Sequence, residues 1–470
     1  VSSFQKSETI YASQLETGNL TLINELAKQA FKRPTDNHRL QGETLQRWST
    51  SMESMKEFLC KSKEAMKKVQ LSRVKSLVDS AYNNVPFYRE FYGACGYVEG
   101  GISSFSDFEQ LPIVSKAILN SFDDSTRVNN PDVIERAHIA RTSGSSGKPF
   151  SVYRDDNYIV LEHLHLMRFY NSCLQTPLRE HDWIYMIHHA GLAFSSLHGK
   201  YRTFQLPDLL PDTPLGEHLL FLRPKLLVTL PSYLPIILRH KAELIMSGVE
   251  AVLTNSESST QLERTYYSKA LGVPVFDEYS SEEIGMIATQ CPHGQYHVAE
   301  DNVFLEIVNE DEQGFGNVIC TGLSNELMPL IRYDHGDVAK GVRDQKCCEC
   351  GSLCTSLKEI NGRRDDAFRT YEHKLVPSAS ILAAVDDILL ATDRTLGAFR
   401  LVQTSSDTIE LLTKYIGEPN KNMPTMLEQL KIRLSSLFGY TVNLLHFEVD
   451  TLPEQNSYKR RSIVREWELD

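Results

Sequence analysis

The sequence predicts an α/β protein: a large N-terminal α/β domain followed by a small C-terminal α+β, ferredoxin-like lid domain. From about residue 130 to 340, short apolar β-rich runs (DWIYMIH, LLVTL, AVLTN, PVFDEY, VFLEIV, NVICTGL) alternate with helical stretches such as LPIILRHKAELIMSG. That alternation is expected of crossover units around a largely parallel sheet. Beyond about residue 375 the order changes. SASILAAVDDILLATD reads as helix, AFRLVQT and DTIELLTKYI as strands joined by a polar turn, TMLEQLKIRLSSLFG as an amphipathic helix and TVNLLHFEV as a strand. This α-β-β-α-β order belongs to a small mixed domain. The length of 470 residues also asks for two or three units at roughly 150 residues each.

Ahead of the sheet region, residues from about 8 to 80 are rich in Leu, Lys, Glu, Ser and Met at helical spacing, with Phe58, Met66, Val69, Leu77 and Val78 able to share a face. Pro86 is expected to end that helical region. No internal repeat or low-complexity tract is present.

Composition excludes several classes. With 41% hydrophobic and 23% charged residues and no apolar run of about eighteen residues, the chain has no candidate membrane span. A net charge of −12 opposes attraction to a nucleic-acid backbone, and YKRRSIVR is the one dense basic patch. The opening VSSFQKSETIYASQ has neither a basic n-region nor an apolar h-region, so a cytoplasmic location is expected. Five of the nine cysteines, Cys291, Cys347, Cys348, Cys350 and Cys354, lie in two tight neighbourhoods. That spacing suggests metal in a reducing compartment. Cys60, Cys95, Cys173 and Cys320 are expected to be buried thiols.

The stretch RTSGSSGKPF, Arg141 to Phe150, has the chemistry of a phosphate cradle. It is not the nucleotide-triphosphatase P-loop, which has four residues between its glycines and a Ser or Thr after the lysine. Here two residues separate Gly144 from Gly147, and Pro149 follows Lys148. The stretch also sits between two strand-like runs, RAHIA and FSVYR. Thr142, Ser143, Gly144, Ser145, Ser146 and Gly147 therefore form a flexible strand-to-strand loop able to wrap a triphosphate, with Lys148 as a mobile positive charge. A plain Gly/Ser hairpin turn is the alternative. In CPHGQYH and CCECGSLC, Cys291, His297, Cys348 and Cys350 make the sulfur/nitrogen set expected of structural zinc. His293 and Cys347 are rival ligands. With four positions filled, such a site cannot activate water.

Downstream of the loop come VFDEYSSEEIG, IRYDHGD, NGRRDDAF and Lys459 in LPEQNSYKRRSIVRE. These motifs stand in the order used by adenylate-forming enzymes, and the chain resembles the phenylacetate–CoA ligase branch of that superfamily. SAYNNVPFYREFYGACG followed by FSDFEQLPIVSK is similar to the N-terminal segment of that branch, so the resemblance runs from about residue 70 to the end.

Residue spacing gives an N-terminal helical segment (1–80), and the resemblance implies an ATP- and acid-binding adenylation domain with the zinc site (81–363) and a mobile C-terminal lid (364–470). It implies an ATP-dependent carboxylate ligase that forms an acyl-AMP with release of pyrophosphate. The acyl group would then pass to coenzyme A, with an amine or a carrier-protein thiol as alternative acceptors. Glu283 would hold magnesium and Tyr279 would lie near the adenine. Asp337 would grip the ribose hydroxyls with support from Arg363, and Asp365 would be the lid hinge. Glu257, Asp277, Glu278 and Ser280 complete the nucleotide set. Lys459, brought by the lid, would act with Lys148 and Glu283 in catalysis. His188, Ala190, Phe194, Tyr233 and Ser256 would line a pocket for an aromatic or modest apolar acid. The expected partners are small molecules, with no nucleic acid and no membrane, and with room for a homodimer.

Four positions depart from the family pattern. Ser280 replaces a glycine, Glu282 adds a carboxylate beside the magnesium residue, AFRTYEHKLVP lacks the usual lid glycine, and SYKRR lacks the glycine before its lysine. The rival class is a nucleotide-binding regulatory subunit without chemistry.

Overall fold

The computed structural model describes residues 36–141, 150–179, 182–188, 202–206, 209, 213–312, 314–341, 347–364, 367–390, 396–415, 418–450, 452–453 and 462–467. They divide into two compact units. One holds the described parts of 1–55, 159–255 and 267–278, and the other those of 56–158, 256–266 and 279–470.

Among the described residues, helices α1 (Asp36–Leu59) and α2 (Lys63–Asn84) come first. Ser62 caps α2, its hydroxyl accepting the Ala65 N–H at 3.3 Å. Met66, Gln70, Val74, Leu77, Val78 and Ala81 form the buried face. The Gln70 amide donates to the carbonyls of Glu300 and Val303 at 3.1 Å each, which ties α2 to the strands of its unit. Val85 is extended, as a residue before proline prefers. Pro86 ends α2 as expected but also opens α3 (Pro86–Gly93), since its missing N–H costs nothing in a first turn. Tyr88 of α3 donates its hydroxyl to Pro329 O at 2.9 Å and accepts the Ile331 N–H at 3.0 Å.

Strand β1 (His138–Arg141) pairs antiparallel with β2 (Ser151–Arg154), placing Arg141 opposite Ser151. Residues 142–149 connect two paired strands, the setting expected for the phosphate loop.

In the first unit, β3 (Trp183–Ile187), β4 (Arg202–Leu206), β5 (Leu226–Thr229), β6 (Ala251–Thr254) and the start of β7 (Val275–Ser281) pair in parallel in the order β4-β3-β5-β6-β7. Every residue of β3, β5 and β6 is buried, as in a sheet covered on both faces.

The second unit departs from the parallel expectation. β8 (Gly285–Gln290), β9 (Tyr296–Val298), β10 (Val303–Val308), β11 (Phe315–Gly322), β12 (Tyr333–Gly341) and β13 (Ser356–Arg363) lie in the order β8-β9-β13-β12-β11-β10. Each of these pairings is antiparallel. The physical reason is linker length: a handful of residues joins β8 to β9 and β10 to β11, whereas a parallel crossover needs a dozen or more. α2, α3 and the β1–β2 hairpin share one hydrophobic core with these strands.

The C-terminal part has the expected helix, two strands, helix and strand: α4 (Ser378–Val385), β14 (Leu396–Gln403), β15 (Thr408–Tyr415), α5 (Met423–Phe438) and β16 (Asn443–Glu448). β17 (Ile463–Arg465), inside the stretch read only as a basic patch, adds a further strand. The sheet order is β16-β15-β14-β17, antiparallel at its centre and parallel at both outer pairs. Met426, Leu430 and Leu434 of α5 pack with Leu401, Ile409 and Leu411 in a separate core. Among the described residues no helix is long and apolar enough to cross a membrane. Cys173 and Cys320 are buried as expected, but Cys60 and Cys95 are exposed. Cys60 lies in a turn after α1 and Cys95 in one after α3, positions that leave both exposed among the described residues.

Candidate active site and metal centre

Thr142, Ser143, Gly144, Ser145, Ser146, Gly147, Lys148, Ala190, Phe194, Asp365 and Lys459 lie outside the described residues. The other expected residues are placed, and Tyr279, Asp337 and Arg363 of the second unit form a connected group. Asp337 on β12 stands opposite Arg363 on β13. Its Oδ2 accepts the Tyr279 hydroxyl at 2.8 Å and faces His335 Nδ1 at 3.2 Å. Its Oδ1 lies 3.5 Å from Arg363 Nε, and a second Arg363 nitrogen donates to the His335 carbonyl at 3.0 Å. Burial would raise the Asp337 pKa, but His335, Arg363 and the Tyr279 hydroxyl outweigh it and hold the carboxyl far below the usual range. Burial would likewise discharge His335, yet Asp337 holds its imidazole protonated, well above the usual histidine range. The group is thus an ionised carboxylate in a mostly buried cationic setting.

Glu283 follows β7 in the turn to β8 and is buried. Its one hydrogen bond among the described residues is a long one, from Tyr333 at 3.4 Å. A buried carboxylate so weakly satisfied fits a divalent cation as partner. The Tyr333 ring stacks between Phe150, at 6.2 Å, and His335, at 6.5 Å. Phe150, immediately before β2, thus packs on Tyr333 of the strand that carries Asp337. Glu282, the carboxylate with no family counterpart, is ion-paired with Arg154 of β2 at 3.5 Å, and the same guanidinium donates to the Glu282 carbonyl. Ser280 is half-buried near the end of β7. Ser256 adopts a left-handed backbone (φ 66°), a conformation that is uncommon for serine and concentrates at functional sites. Glu257 follows it.

In the first unit, His188 and Tyr233 follow the carboxyl ends of β3 and β5, the side of an open α/β sheet where ligands bind. The His188 N–H donates to Leu206 O at 2.8 Å. Asp277 is buried and accepts the Thr254 hydroxyl at 2.7 Å. Glu278, also buried, raises the pKa of Tyr170 beyond what burial alone does.

The metal group is compact. Donor atoms of Cys291, His297, Cys348 and Cys350 all lie within 4.8 Å of one another. Cys291 and Cys348 sulfurs are 3.9 Å apart, and Cys350 Sγ is 3.1 Å from His297 Nε2. A zinc tetrahedron with ~2.3 Å metal–sulfur bonds sets neighbouring sulfurs ~3.8 Å apart. Two matching turns build the group: Gly294 N–H bonds Cys291 O, and Gly351 N–H bonds Cys348 O. Both glycines have left-handed φ, 79° and 86°, so the two chain segments fold the same way around one point. Ser356 holds the other ring nitrogen of the histidine. Its hydroxyl lies 2.9 Å from His297 Nδ1 and 3.3 Å from Cys354 O, and when it donates to that carbonyl it accepts from Nδ1 and leaves Nε2 free to donate a lone pair. Of the rivals, His293 turns to Glu349 at 3.1 Å, and the exposed Cys347 thiol bonds the Cys348 carbonyl.

Sequence reasoning passed over His335, Arg154 and Ser356. His335 stood in plain view within IRYDHGD, but nothing local says that its ring turns onto Asp337.

Two layers of relatedness agree with this geometry. The fold is that of the adenylate-forming CoA ligases. A crystal structure of 2-hydroxyisobutyryl-CoA ligase in the postadenylation state, in complex with R3-HIB-AMP, matches with a TM-score of 0.70 at 18% identity, covering 87% of this chain and 90% of that one. The same enzyme with 2-HIB-AMP and CoA in the thioesterification state matches at 0.57 and 19% identity, over 87% and 92%. In sequence, the chain is 22% identical over 441 residues to a phenylacetate–coenzyme A ligase of Thermus thermophilus, covering 86% of this chain and 97% of that one. It is 22% identical over 418 residues to the Escherichia coli phenylacetate–coenzyme A ligase, over 83% and 93%. No protein-family model matches the chain. The chain is a homologue of these ligases and has their architecture.

Proposed function

We propose that the protein is an AMP-forming carboxylate–CoA ligase that activates a small apolar or aromatic acid. The observation that carries this reading is the convergence of Tyr279 and Arg363, from two other strands, on the ionised carboxylate of Asp337, near a buried glutamate and a hairpin whose connecting loop has phosphate-binding composition. Adenylation brings two anions together, so the site must orient them and meet the charge that builds at the α-phosphate. Asp337 and Arg363 bind the ribose, Tyr279 borders the adenine, and Glu257, Asp277, Glu278 and Ser280 border the nucleotide. Residues 142–148 wrap the phosphates with Lys148 as their counter-charge. Glu283 would hold a magnesium ion, which draws negative charge off the triphosphate. Lys459, carried by a lid of residues 364–470 turning at Asp365 on a body of residues 81–363, reaches the carboxylate in the first half-reaction.

His188, Ala190, Phe194, Tyr233 and Ser256 shape the acid pocket. The names of the relatives, phenylacetate and 2-hydroxyisobutyryl ligases, support an acid of that size. Cys291, His297, Cys348 and Cys350 hold a structural zinc in this reading. Those thiolates suit a reducing cytosol.

The deciding experiment is ATP–pyrophosphate exchange across arylacetic and short branched acids, followed by product analysis with coenzyme A, an amine or a carrier-protein thiol as acceptor. Acid-dependent exchange and a thioester product are expected. Absence of exchange with every acid points to a nucleotide-binding regulatory subunit instead.

A further inference from the structure

The two oxygens of Asp337 are not equivalent. Oδ2 takes both strong inward contacts, the Tyr279 hydroxyl at 2.8 Å and His335 Nδ1 at 3.2 Å. Oδ1 has only Arg363 Nε, at 3.5 Å, among the described residues. The His335 side chain is 1% exposed against 39% for Arg363, so one donor is sealed in the protein while the other reaches the surface. His335 is also held from its other sides. Its Nε2 faces Cys320 Sγ at 3.6 Å, its carbonyl is bonded by Arg363, and its ring stacks on Tyr333. A ring fixed at this many points has one orientation to offer the carboxylate.

We propose that His335 is a positioning residue for nucleotide recognition: with Tyr279 it saturates Asp337 Oδ2, which leaves Oδ1 as the oxygen that accepts the sugar hydroxyls of ATP. This rests on the ribose role of Asp337 given above and adds which oxygen is used and what holds it. The physical logic is preorganisation. A carboxylate free to rotate must be ordered when the sugar binds, whereas one pinned through a single oxygen presents the other at no such cost. His335 itself touches no substrate. Its effect passes through Asp337 and should appear in the recognition of hydroxyls rather than in the acid.

The test compares kcat/KM for ATP, 2′-deoxyATP and 3′-deoxyATP in pyrophosphate exchange, for the parental protein and for His335→Asn, His335→Gln and Tyr279→Phe. Asparagine places an amide donor near the position of Nδ1, whereas glutamine carries it out toward that of Nε2. Discrimination against at least one deoxy analogue is expected in the parent. It should survive in His335→Asn and fall about tenfold in His335→Gln, mostly through KM for ATP, since a charged hydrogen bond is lost. Tyr279→Phe, which removes the second donor to the same oxygen, should move in the same direction with KM for the acid unchanged. A merely structural histidine would not separate the asparagine and glutamine variants. If the parent discriminates and His335→Gln and Tyr279→Phe both discriminate equally well, the inference is overturned while the ribose role of Asp337 stands. If the parent does not discriminate, that role fails and the inference fails with it. Should His335→Gln not fold, Tyr279→Phe alone decides on the same criterion.

Discussion

Replacing Cys348 with serine should release the metal and lower stability by a predictable amount. The four ligands link a turn at Cys291 to one at Cys348, 57 residues further along the chain. Treated as a cross-link, closure of a loop of about 57 residues removes ~4 kcal/mol of unfolded-chain entropy. The strands already close most of that loop, because Tyr296 pairs with Leu357 and His297 with Ser356. The metal therefore adds less than the full amount, about half of it or ~2 kcal/mol by loop-closure reasoning. For a large domain this shifts the melting temperature by roughly 4–8 °C. The assay is a thermal melt of parent and Cys348→Ser, each with and without a strong chelator, alongside zinc content by elemental analysis. One zinc per chain is expected in the parent, with less than a tenth of that in the variant. The chelator should lower the melting temperature of the parent and leave the variant where it is. A variant that keeps its zinc, or a parent whose melting point ignores the chelator, refutes the reasoning, because either result separates the metal from these four ligands. Cys347→Ser is the control and should match the parent in both readings, since the Cys347 thiol points to a carbonyl outside the set.

Lys148→Ala and Glu283→Ala should each slow acyl-AMP formation by about tenfold or more with the fold intact, because both meet charge that grows in the transition state; parental pyrophosphate exchange in both would remove the adenylation reading. Lys459→Ala should slow acyl-AMP formation from acid and ATP yet spare turnover of supplied acyl-AMP, and equal losses in both half-reactions would take Lys459 out of the first step. Arg154→Met should raise KM for ATP about threefold to tenfold by leaving Glu282 unpaired, a modest figure because the Glu282 side chain is 41% exposed. The double variant Arg154→Met/Glu282→Gln should then return toward the parent. A double variant no better than the single one would show that Arg154 acts on something other than that carboxylate.

How much of this was legible in the sequence depends on how local the governing physics is. The order of elements, the hairpin flanking residues 142–149 and the grouping of Cys291, His297, Cys348 and Cys350 follow from periodicity, turn residues and cysteine spacing, all of which act over a few residues. The change from parallel to antiparallel pairing after β7 was also written in the sequence, as linkers too short for a crossover, but the apolar runs alone did not reveal it. β17 was missed because a three-residue strand beside YKRRS carries no periodic signal and is defined by pairing with Leu401 to Gln403. What brings His297 rather than His293 to the cysteine group is register: His297 stands opposite Ser356, whereas His293 turns to Glu349.

Charge was the property least legible along the chain. In sequence, Glu282 looks like a second negative charge beside a triphosphate site, and IRYDHGD puts two aspartates close together with a histidine of unknown state. In three dimensions these charges have separate partners. Glu282 meets Arg154, 128 residues away. Asp334 is held by one nitrogen of Arg364, with both carboxylate oxygens within 2.7 Å, and Asp337 keeps His335 and Arg363. Adjacent arginines in GRRDD thus serve different aspartates, Arg363 meeting Asp337 and Arg364 meeting Asp334. Glu282, a departure that suggests a weakened site when counted by position, becomes a compensated pair when counted by contact. A decayed site has no reason to keep such distant partners, because a buried charge without its partner costs several kcal/mol. Glu282 is half-exposed and carries that argument weakly. The nearly sealed Asp337–His335 pair carries it strongly, and for that reason the nucleotide analogues bear more on whether this chain is a working ligase than any further reading of its motifs.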